Sequence, residues 1–384
     1  MKIAVVHDYF TQLGGAEKVA EELYRMLPNP SLFATVAFPK CMPDLLKEVA
    51  VHTSWIQNAP KIEQHYRLYF LLYPLAVSSL DLSGYDLVLS SSSGYAKGVH
   101  TSRYAVHVCY CHTPMRWTWS FDKYAARESF GFTQRTLLPV LIRGLRLWDE
   151  TSSRQPDHFV ANSKVVAQRI RRAYGRSAEV IHPPIDIDRF HPSDEQEDYY
   201  VVLARLVSYK RIDLAVQACS KLGKKLFVIG DGPDRLRLEA AAGPSVKFLG
   251  RTSDRDVEYL VSRCRALLFP GEEDFGMAPL EVAAAGRPTI AYRAGGAVET
   301  ILENVTGMFF DEQTPEALGN AIEQFERREW PAEILRRHSE GFSVQVFQDR
   351  FRTFLKRIGA PVGKSTFDSR AIRNSEPREE VHAA

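Results

Sequence analysis

The sequence lacks the marks of a secreted, disulfide-stabilised or membrane-spanning protein. It has only five cysteines in 384 residues, an odd number without the spacing of a small secreted domain, so we expect reduced thiols. The longest apolar run, Leu68–Val77, is too short to cross a bilayer and contains Pro74. The first residues, Lys2–Val6, lead straight into a turn and are typical of a strand, not of a signal peptide. We therefore expect a cytoplasmic protein, either free or peripheral at the inner face of the cell membrane.

A strong excess of one charge is also missing. The 49 lysines and arginines nearly balance the 47 aspartates and glutamates, and a formal net charge of +2 gives no case for nucleic-acid binding. A composition of 45% hydrophobic and 25% charged residues is ordinary for a globular protein. The length predicts two domains, or three, with substantial cores.

Zinc-site spacing is absent as well. Cys109, Cys111 and His112 lie close together, but Cys-x-Cys is too tight for the usual zinc pair and no second ligand cluster follows. We interpret Cys109 and Cys111 as buried strand residues.

What the sequence does contain is a repeated alternation of a short apolar run, a turn and an amphipathic helix, which predicts parallel sheets with crossover helices. Strands are predicted in the N-terminal half at Ile3–His7, Leu32–Ala37, Val51–Trp55, Leu87–Ser90, Ala105–Cys111, Phe159–Asn162 and Val180–His182. They are predicted in the C-terminal half at Tyr200–Leu203, Leu226–Ile229, Val246–Leu249, Ala266–Phe269, Thr289–Tyr292 and Gly307–Phe310. Helices connect them, including one continuous helix over Ile62–Leu72.

A proline-rich junction, Pro183–Pro192, divides this pattern into two cycles. We predict an N-terminal domain at 1–183, a second domain at 184–340, a further helix within 341–360 and a disordered polar tail at 361–384.

Two glutamates eight positions apart, Glu273 and Glu281, carry the clearest functional signal. A buried strand is predicted before them and a helix, Met277–Ala285, begins between them, so both lie at the carboxyl edge of a parallel sheet, where ligands bind. One carboxylate can reach a sugar hydroxyl and the other can bind both vicinal hydroxyls of a ribose. The helix N-terminus offers N–H groups to an anion.

Cations and glycines occur at similar positions. Arg205 ends one strand and Lys210 begins the next helix, which places both at one carboxyl edge. Gly14 and Gly15 open the first helix, where a missing Cβ lets the backbone approach a phosphate or a sugar.

The E-x7-E pattern, with F-G-x-x-P-L-E inside it, closely resembles the signature of retaining GT-B glycosyltransferases of family 4. The resemblance starts at Gly14–Glu17 and continues through Asn162-Ser163, Arg205, Lys210 and Gly230–Pro233 to the helix near residue 350. Two phrases, Val6–Phe10 and Cys109–Arg116, are most similar to mannosyltransferases of bacterial O-antigen and exopolysaccharide synthesis.

The resemblance implies an α/β fold of the GT-B type. Two Rossmann-like, doubly wound domains would face a central cleft, with the N-terminal domain on the acceptor side and the C-terminal domain binding the nucleotide sugar. The last helix would cross back onto the N-terminal domain.

The resemblance also implies roles for individual residues. Arg205 and Lys210 would bind the diphosphate, and Gly14 and Gly15 would cover it from across the cleft. Glu281 would bind the ribose, Glu273 the hydroxyls of the donor sugar, and His112 its C6 hydroxyl. Thr252 would contact the base through its backbone. The donor-binding set is completed by residues around the helix start: Phe275, Gly276, Met277 and Ala278.

Metal binding is not expected. In GT-A transferases D-x-D holds a divalent metal on the diphosphate, but Asp186-Ile187-Asp188 lies in the proline-rich junction, where family 4 has a similar phrase with no metal role. We therefore expect a cofactor-free, metal-independent reaction in which Arg205 and Lys210 supply the positive charge.

Three segments have two interpretations each. The aromatic run Met115–Phe121 is typical either of sugar or lipid recognition or of a core. The segments Lys61–Tyr73 and Arg135–Trp148 mix basic and apolar residues, which suits either contact with anionic lipid or ordinary surface and interdomain helices.

The sequence thus predicts transfer of a sugar, with mannose from GDP-mannose preferred, onto a hydroxyl of a glycan or polyprenyl-linked glycan. A UDP-sugar donor, a sugar-nucleotide epimerase or hydrolase, and a non-enzymatic scaffold with the same fold are the alternatives. A NAD dehydrogenase is disfavoured, because Gly230-Asp231-Gly232 lacks the third glycine of the dinucleotide fingerprint, with Arg235 in its place.

Overall fold

The apolar runs of the N-terminal half form a seven-stranded parallel sheet in a computed structural model, which describes residues 1–119 and 132–360. Its strands are β1 (Ile3–His7), β2 (Ser31–Ala34), β3 (Val51–Thr53), β4 (Leu87–Ser92), β5 (Val106–Cys111), β6 (His158–Ala161) and β7 (Glu179–Val180). They are arranged in the order β3-β2-β1-β4-β5-β6-β7. Helices cover both faces of the sheet, so β1 and β4 are buried along their whole length and their sequences are nearly continuous apolar or small-residue runs.

A second parallel sheet forms in the C-terminal half. Its strands are β8 (Tyr200–Leu203), β9 (Leu226–Ile229), β10 (Val246–Gly250), β11 (Leu267–Phe269), β12 (Thr289–Tyr292) and β13 (Gly307–Phe310). They follow the order β10-β9-β8-β11-β12-β13. The strand order therefore reverses once in each sheet, between β1 and β4 and between β8 and β11. These are the switch points where doubly wound sheets bind ligands.

Helices connect the strands throughout the described residues. In the N-terminal half they are Gly15–Arg25, Asp44–Lys47, Ile62–His65, Tyr73–Ser78, Arg116–Trp119, Phe132–Ser152 and Lys164–Tyr174. In the C-terminal half they are Ile212–Leu222, Arg235–Ala240, Asp254–Arg263, Met277–Ala284, Ala297–Thr300, Pro315–Phe325, Ala332–Glu340 and Val344–Arg357. No helix in these ranges is long and apolar enough to cross a membrane.

The last helix, Val344–Arg357, completes the core of the N-terminal sheet. Phe347, Phe351, Phe354 and Leu355 are buried in the same apolar cluster as strands β1, β2, β4 and β5. The rings of Phe347 and Phe351 lie 6.0 Å and 6.2 Å from that of Tyr110 on β5. The crossing helix and the two doubly wound sheets confirm the predicted fold class.

The cysteine prediction is also confirmed, since Cys109 and Cys111 are buried on β5 with free thiols. One helix prediction is wrong. In place of a continuous helix over Ile62–Leu72, the chain forms Ile62–His65, a 3₁₀ turn at Tyr66–Tyr69 and a separate helix, Tyr73–Ser78. Pro74 explains the break, because it has no N–H to donate and is tolerated only in the first helical turn. The helix Ala332–Glu340 was not predicted.

The predicted tail at 361–384 lies outside the described residues, as do Ser120 and Phe121 at the end of the aromatic run. Within the described part of that run, Met115 is fully buried and Trp117 and Trp119 pack against the same core cluster, which favours the core interpretation for these three residues.

We expect Phe351→Ala to reduce the free energy of unfolding by about 3–5 kcal/mol, because it leaves a cavity between the last helix and the N-terminal sheet. Arg350→Ala, at the neighbouring exposed position, is the matched control and should change it by less than about 0.5 kcal/mol. Denaturant unfolding of both variants measures the difference, and equal values would show that the helix does not complete this core.

Candidate active site

The ammonium group of Lys210 and the carboxylate of Glu273 form the centre of the site. Lys210 Nζ lies 2.8 Å from Glu273 Oε1, and both side chains are at most one-fifth exposed. Lys210 follows β8 and Glu273 follows β11, and these two strands are hydrogen-bonded neighbours. Burial by itself would lower the pKa of Lys210, but the adjacent Glu273 carboxylate outweighs it and the pKa is raised. Lys210 therefore keeps its positive charge inside the cleft.

Two further predicted residues contact the opposite domain. Arg205 Nη1 donates a hydrogen bond of 2.5 Å to Gln12 Oε1, in the loop that carries Gly14 and Gly15. Lys18 Nζ, on the helix that follows this loop, donates to Glu281 Oε1 at 3.3 Å. Arg205 and Glu281 thus face the first turn of the N-terminal domain across the cleft.

The glycine loop meets the helix that begins at Met277. A Cβ atom on Gly15 would lie only 2.7 Å from Met277 Sδ, so any larger residue would displace this side chain. The backbone of Gly276, which precedes the helix, has φ +88°, a conformation that favours glycine. Phe275 is buried and stacks on His182, with ring centroids 5.2 Å apart, and Ala278 lies in the first helical turn.

His112 is the end of a buried hydrogen-bonded chain. Its Nε2 lies 2.8 Å from Ser91 Oγ, which lies 3.1 Å from His7 Nδ1. His7 Nε2 in turn lies 3.9 Å from Glu17 Oε1, in the predicted Gly14–Glu17 motif. Burial, together with the neighbouring His7, lowers the pKa of His112 to about 3, so the imidazole is neutral at physiological pH. A neutral ring can exchange a hydrogen bond with a hydroxyl group without adding charge to the cleft.

Thr252 lies apart from these groups. It lines an open cavity of about 440 Å³ together with Arg251, Asp256 and Tyr259, and none of the other predicted site residues borders it. The proposed contact of Thr252 with the base stays a prediction.

The structure also describes the surroundings of His107, Gly230, Asp186 and Asp188. His107 is buried and hydrogen bonded to Ser90, which is typical of a core residue. Gly230 has φ +125°, and a Cβ atom there would lie 2.0 Å from the carbonyl oxygen of Ala204, beside Arg205, so this turn favours glycine. Asp186 and Asp188 are exposed, and no group of three metal-ligating side chains lies within the described ranges.

Sequence reasoning missed the residues that contact the expected donor site from the other domain. No functional role is predicted from the sequence for Gln12, Lys18, Ser91 or His7. The one available signal for Lys18 and Gln12 was their position beside Gly14 and Gly15. Ser91 lies on a strand whose serines look like small core residues.

Two family models match the chain. One, described as glycosyl transferases group 1, matches residues 185–340, and the other, described as glycosyltransferase family 4, matches residues 13–189.

Individual relatives are distant. An uncharacterized glycosyltransferase of Methanocaldococcus jannaschii is 20% identical over 89% of this chain and 93% of its own length. A GDP-mannose-dependent alpha-mannosyltransferase of Mycobacterium tuberculosis is 26% identical, over 51% of this chain and 56% of its own length. The crystal structure of Anabaena HepE in complex with UDP superposes with a TM-score of 0.67 at 18% identity, covering 93% of this chain and all of that one. The superposition on HepE shows that the two chains share a fold.

The lowered pKa of His112 predicts a loss of stability in acid. A histidine whose pKa is lower in the folded than in the unfolded chain stabilises the fold fully above about pH 6.5, and this contribution falls as the pH drops toward 3. Between pH 6.5 and pH 5 the loss is about 2 kcal/mol for each such histidine. His107, whose pKa burial lowers to about 4, contributes in the same direction.

We therefore expect the decrease in unfolding free energy between pH 7 and pH 5 to be about 2 kcal/mol smaller in His112→Gln than in the parent protein. Urea unfolding at several pH values measures both slopes. A slope unchanged by the substitution would contradict a buried, neutral His112.

Proposed function

Because this chain belongs to the group 1 glycosyltransferases of family 4, we propose that it transfers a mannosyl unit from GDP-mannose to a hydroxyl of a lipid-linked or growing glycan. Membership of the family makes the protein a glycosyltransferase that uses a nucleotide sugar. The mannose, the guanine base, the acceptor and retention at the anomeric carbon are the proposed part.

One observation carries the proposal: two cations and two carboxylates meet at the switch point of the C-terminal sheet, opposite a glycine loop. Lys210 and Glu273 pair with each other, while Arg205 and Glu281 reach the N-terminal domain. A nucleotide sugar has complementary groups: hydroxyls on its ribose, negative charges on its diphosphate and hydroxyls on its sugar. Glu281 would bind the ribose, Arg205 and Lys210 the diphosphate, and Glu273 the sugar.

The cations also account for catalysis. Breaking the bond between sugar and phosphate increases the negative charge on the leaving diphosphate, and preorganised positive groups lower the energy of that transition state. The raised pKa of Lys210 keeps its ammonium group charged in the cleft. We propose that these two cations serve in place of a metal ion.

A donor must change the partners of these groups. A diphosphate competes with Gln12 for Arg205 and with Glu273 for Lys210, and a ribose competes with Lys18 for Glu281. We assign no covalent nucleophile. The leaving phosphate takes the proton of the acceptor hydroxyl on the same face of the sugar, and closure of the cleft aligns donor and acceptor.

Mannose is supported by two mycobacterial relatives whose names specify GDP-mannose, although each alignment spans only 56% of the relative. A UDP-sugar donor is the principal alternative. An epimerase or hydrolase would release nucleotide without an acceptor, and a scaffold protein has no need of the four charged residues that this chain retains.

We expect GDP-mannose to raise the melting temperature of the protein more than UDP-glucose or UDP-GlcNAc at equal concentration, because a closing two-domain cleft is stabilised by its own donor. A thermal-shift panel measures this preference. Stabilisation by a UDP-sugar with none by GDP-mannose would remove the mannosyl assignment and leave the glycosyltransferase assignment intact.

Two substitutions test the separate roles of the ribose and phosphate groups. Glu281→Ala should raise KM for the donor by about 10-fold or more, because it removes charge-assisted hydrogen bonds to the ribose. Lys210→Ala should lower kcat by about 10²–10³-fold, because it removes a cation from the transition state. Lys221→Ala, at an exposed position of the helix that follows Lys210, is the control. Near-normal kinetics in both site variants would refute the assignment.

The N-terminal half has an excess of basic residues and a group of exposed leucines, which suit contact with an anionic membrane. A lipid-linked acceptor would lie at such a membrane. Residues 1–183 contain 21 lysines and arginines against 15 acidic residues, and residues 184–340 contain 20 against 27. Leu68 and Leu75 are 74% and 63% exposed, and Leu71 and Leu72 between them are also exposed. We propose that this leucine patch inserts at the lipid interface.

We expect the double variant Leu68→Ser/Leu75→Ser to bind vesicles containing phosphatidylglycerol several-fold more weakly than the parent protein. Leu236→Ser changes an equally exposed leucine of the C-terminal domain and should bind like the parent. Co-sedimentation with vesicles measures both, and equal loss in the two variants would argue against a patch at Leu68–Leu75.

A further inference from the structure

The loop that carries Glu273 is held by two arginines of the opposite domain. Arg116 Nη2 lies 2.6 Å from Asp274 Oδ1, and Arg169 Nη1 binds the same oxygen. Arg169 also reaches back along the loop, with Nη2 3.1 Å from Glu272 Oε1. Both arginines belong to N-terminal helices, and their partners flank Glu273 on either side. We call Asp274, Arg116 and Arg169 the Asp274 clasp.

The backbone of the same loop is held as well. Ser163 Oγ donates to the carbonyl oxygen of Asp274 at 2.6 Å, while it also accepts from Val166 N at the start of the helix Lys164–Tyr174. From the other side, Gly296 N donates to the carbonyl oxygen of Glu273 at 2.8 Å. A Cβ on Gly296 would lie 2.2 Å from Phe275 Cα, so the loop has no room to shift in that direction.

A second contact binds the same helix start. The carboxylate of Glu299 accepts from Lys164 N at 2.9 Å and from Val165 N at 3.2 Å, and it lies 3.2 Å from His182 Nε2. A carboxylate of one domain therefore caps a helix of the other, where the helix dipole favours negative charge. Glu299 follows Gly295 and Gly296, and the N–H of Gly296 is hydrogen bonded to the carbonyl of Glu273. The Glu299 contact and the clasp therefore hold two backbone segments that are bonded to each other.

We propose that the Asp274 clasp positions Glu273 for donor binding only when the two domains are closed. The inference rests on the proposed function, because it concerns how that function's sugar-binding carboxylate is placed. The three residues act through Glu273 and are positioning residues, not catalytic ones. In an open cleft Asp274 loses both arginines, and the loop between Glu272 and Phe275 keeps only its contacts within the C-terminal domain.

Lys210, the partner of Glu273 in the central ion pair, is also linked to the Asp274 clasp. The guanidinium of Arg116 lies 4.6 Å from the ring centroid of Tyr209, the residue before Lys210. One N-terminal side chain thus contacts the neighbours of both Glu273 and Lys210. Closure of the two domains then positions Glu273 and Lys210 at the same time. A donor bound to an open cleft therefore meets an incomplete site.

The test compares Asp274→Asn, which keeps the shape of the side chain and removes its charge, with Arg169→Gln and the double variant. Arg171→Gln is the control, because Arg171 is an exposed arginine on the same helix as Arg169. Five quantities are measured: kcat and KM for the donor, Kd for GDP, melting temperature, and radius of gyration by small-angle scattering with GDP present.

We expect Asp274→Asn and Arg169→Gln to lower kcat by about 10- to 100-fold, as a displaced catalytic group does. The Kd for GDP should stay within about twofold, because Arg205 and Glu281 lie outside the clasp, and the radius of gyration should increase. The double variant should lose less than the product of the two single effects, because Asp274 and Arg169 share a contact and their effects are not additive. Arg171→Gln should match the parent in all five quantities.

Parental kcat and parental radius of gyration in Asp274→Asn would overturn the proposal, and so would effects that multiply in the double variant. If Asp274→Asn melts far below the parent, Arg169→Gln decides alone, because Arg169 is partly exposed. If the parent transfers no sugar from any donor, the proposed function fails. The scattering comparison needs no turnover and still decides whether the clasp holds the cleft closed.

Discussion

The ion pair between Lys210 and Glu273 is the interaction on which the arrangement of the site depends. It joins the carboxyl ends of β8 and β11, which are neighbours in the sheet but are separated along the chain by β9, β10 and their helices. Removing either partner leaves a charge in a half-buried place, where an unpaired ion is costly. The strand order therefore does more than build a core. Because the strand order reverses between β8 and β11, a cation and a carboxylate from distant parts of the chain lie within hydrogen-bonding distance.

Much of the fold was predictable because strands buried on both faces leave a strong pattern. The bounds of β1, β8, β9, β12 and β13 agree with the predicted ones, since each is a short apolar run that ends at a turn. The failures have equally local causes. The stretch Ile62–Leu72 has helical composition, but the proline that follows it forces a new start. The helix Ala332–Glu340 buries only Leu335 and Ser339, so its apolar stripe is too thin to be seen in the sequence.

The candidate site was predictable only in part. Glu273, Glu281, Arg205 and Lys210 each follow a strand, and strand ends are visible in a sequence. Contacts between the two domains leave no such mark, because they depend on how two independent sheets face each other. Nothing in the sequence near Asp274 indicates Arg116 or Arg169. The chain from Glu17 to His112 depends on strand register, which places His7 opposite Ser91, and a shift of one residue would turn these side chains to the other face.

The helix Val344–Arg357 has a consequence for how the protein is made. Its phenylalanines are needed in the core of the N-terminal sheet, although they are translated after the strands of both sheets. Domains usually fold in the order of their synthesis. In this protein the first domain to emerge has to wait, partly uncovered, until the second has been translated and the end of the chain returns. Biogenesis thus makes the N-terminal half the later of the two to mature, and a nascent chain that stops before this helix exposes an apolar face that chaperones would have to cover.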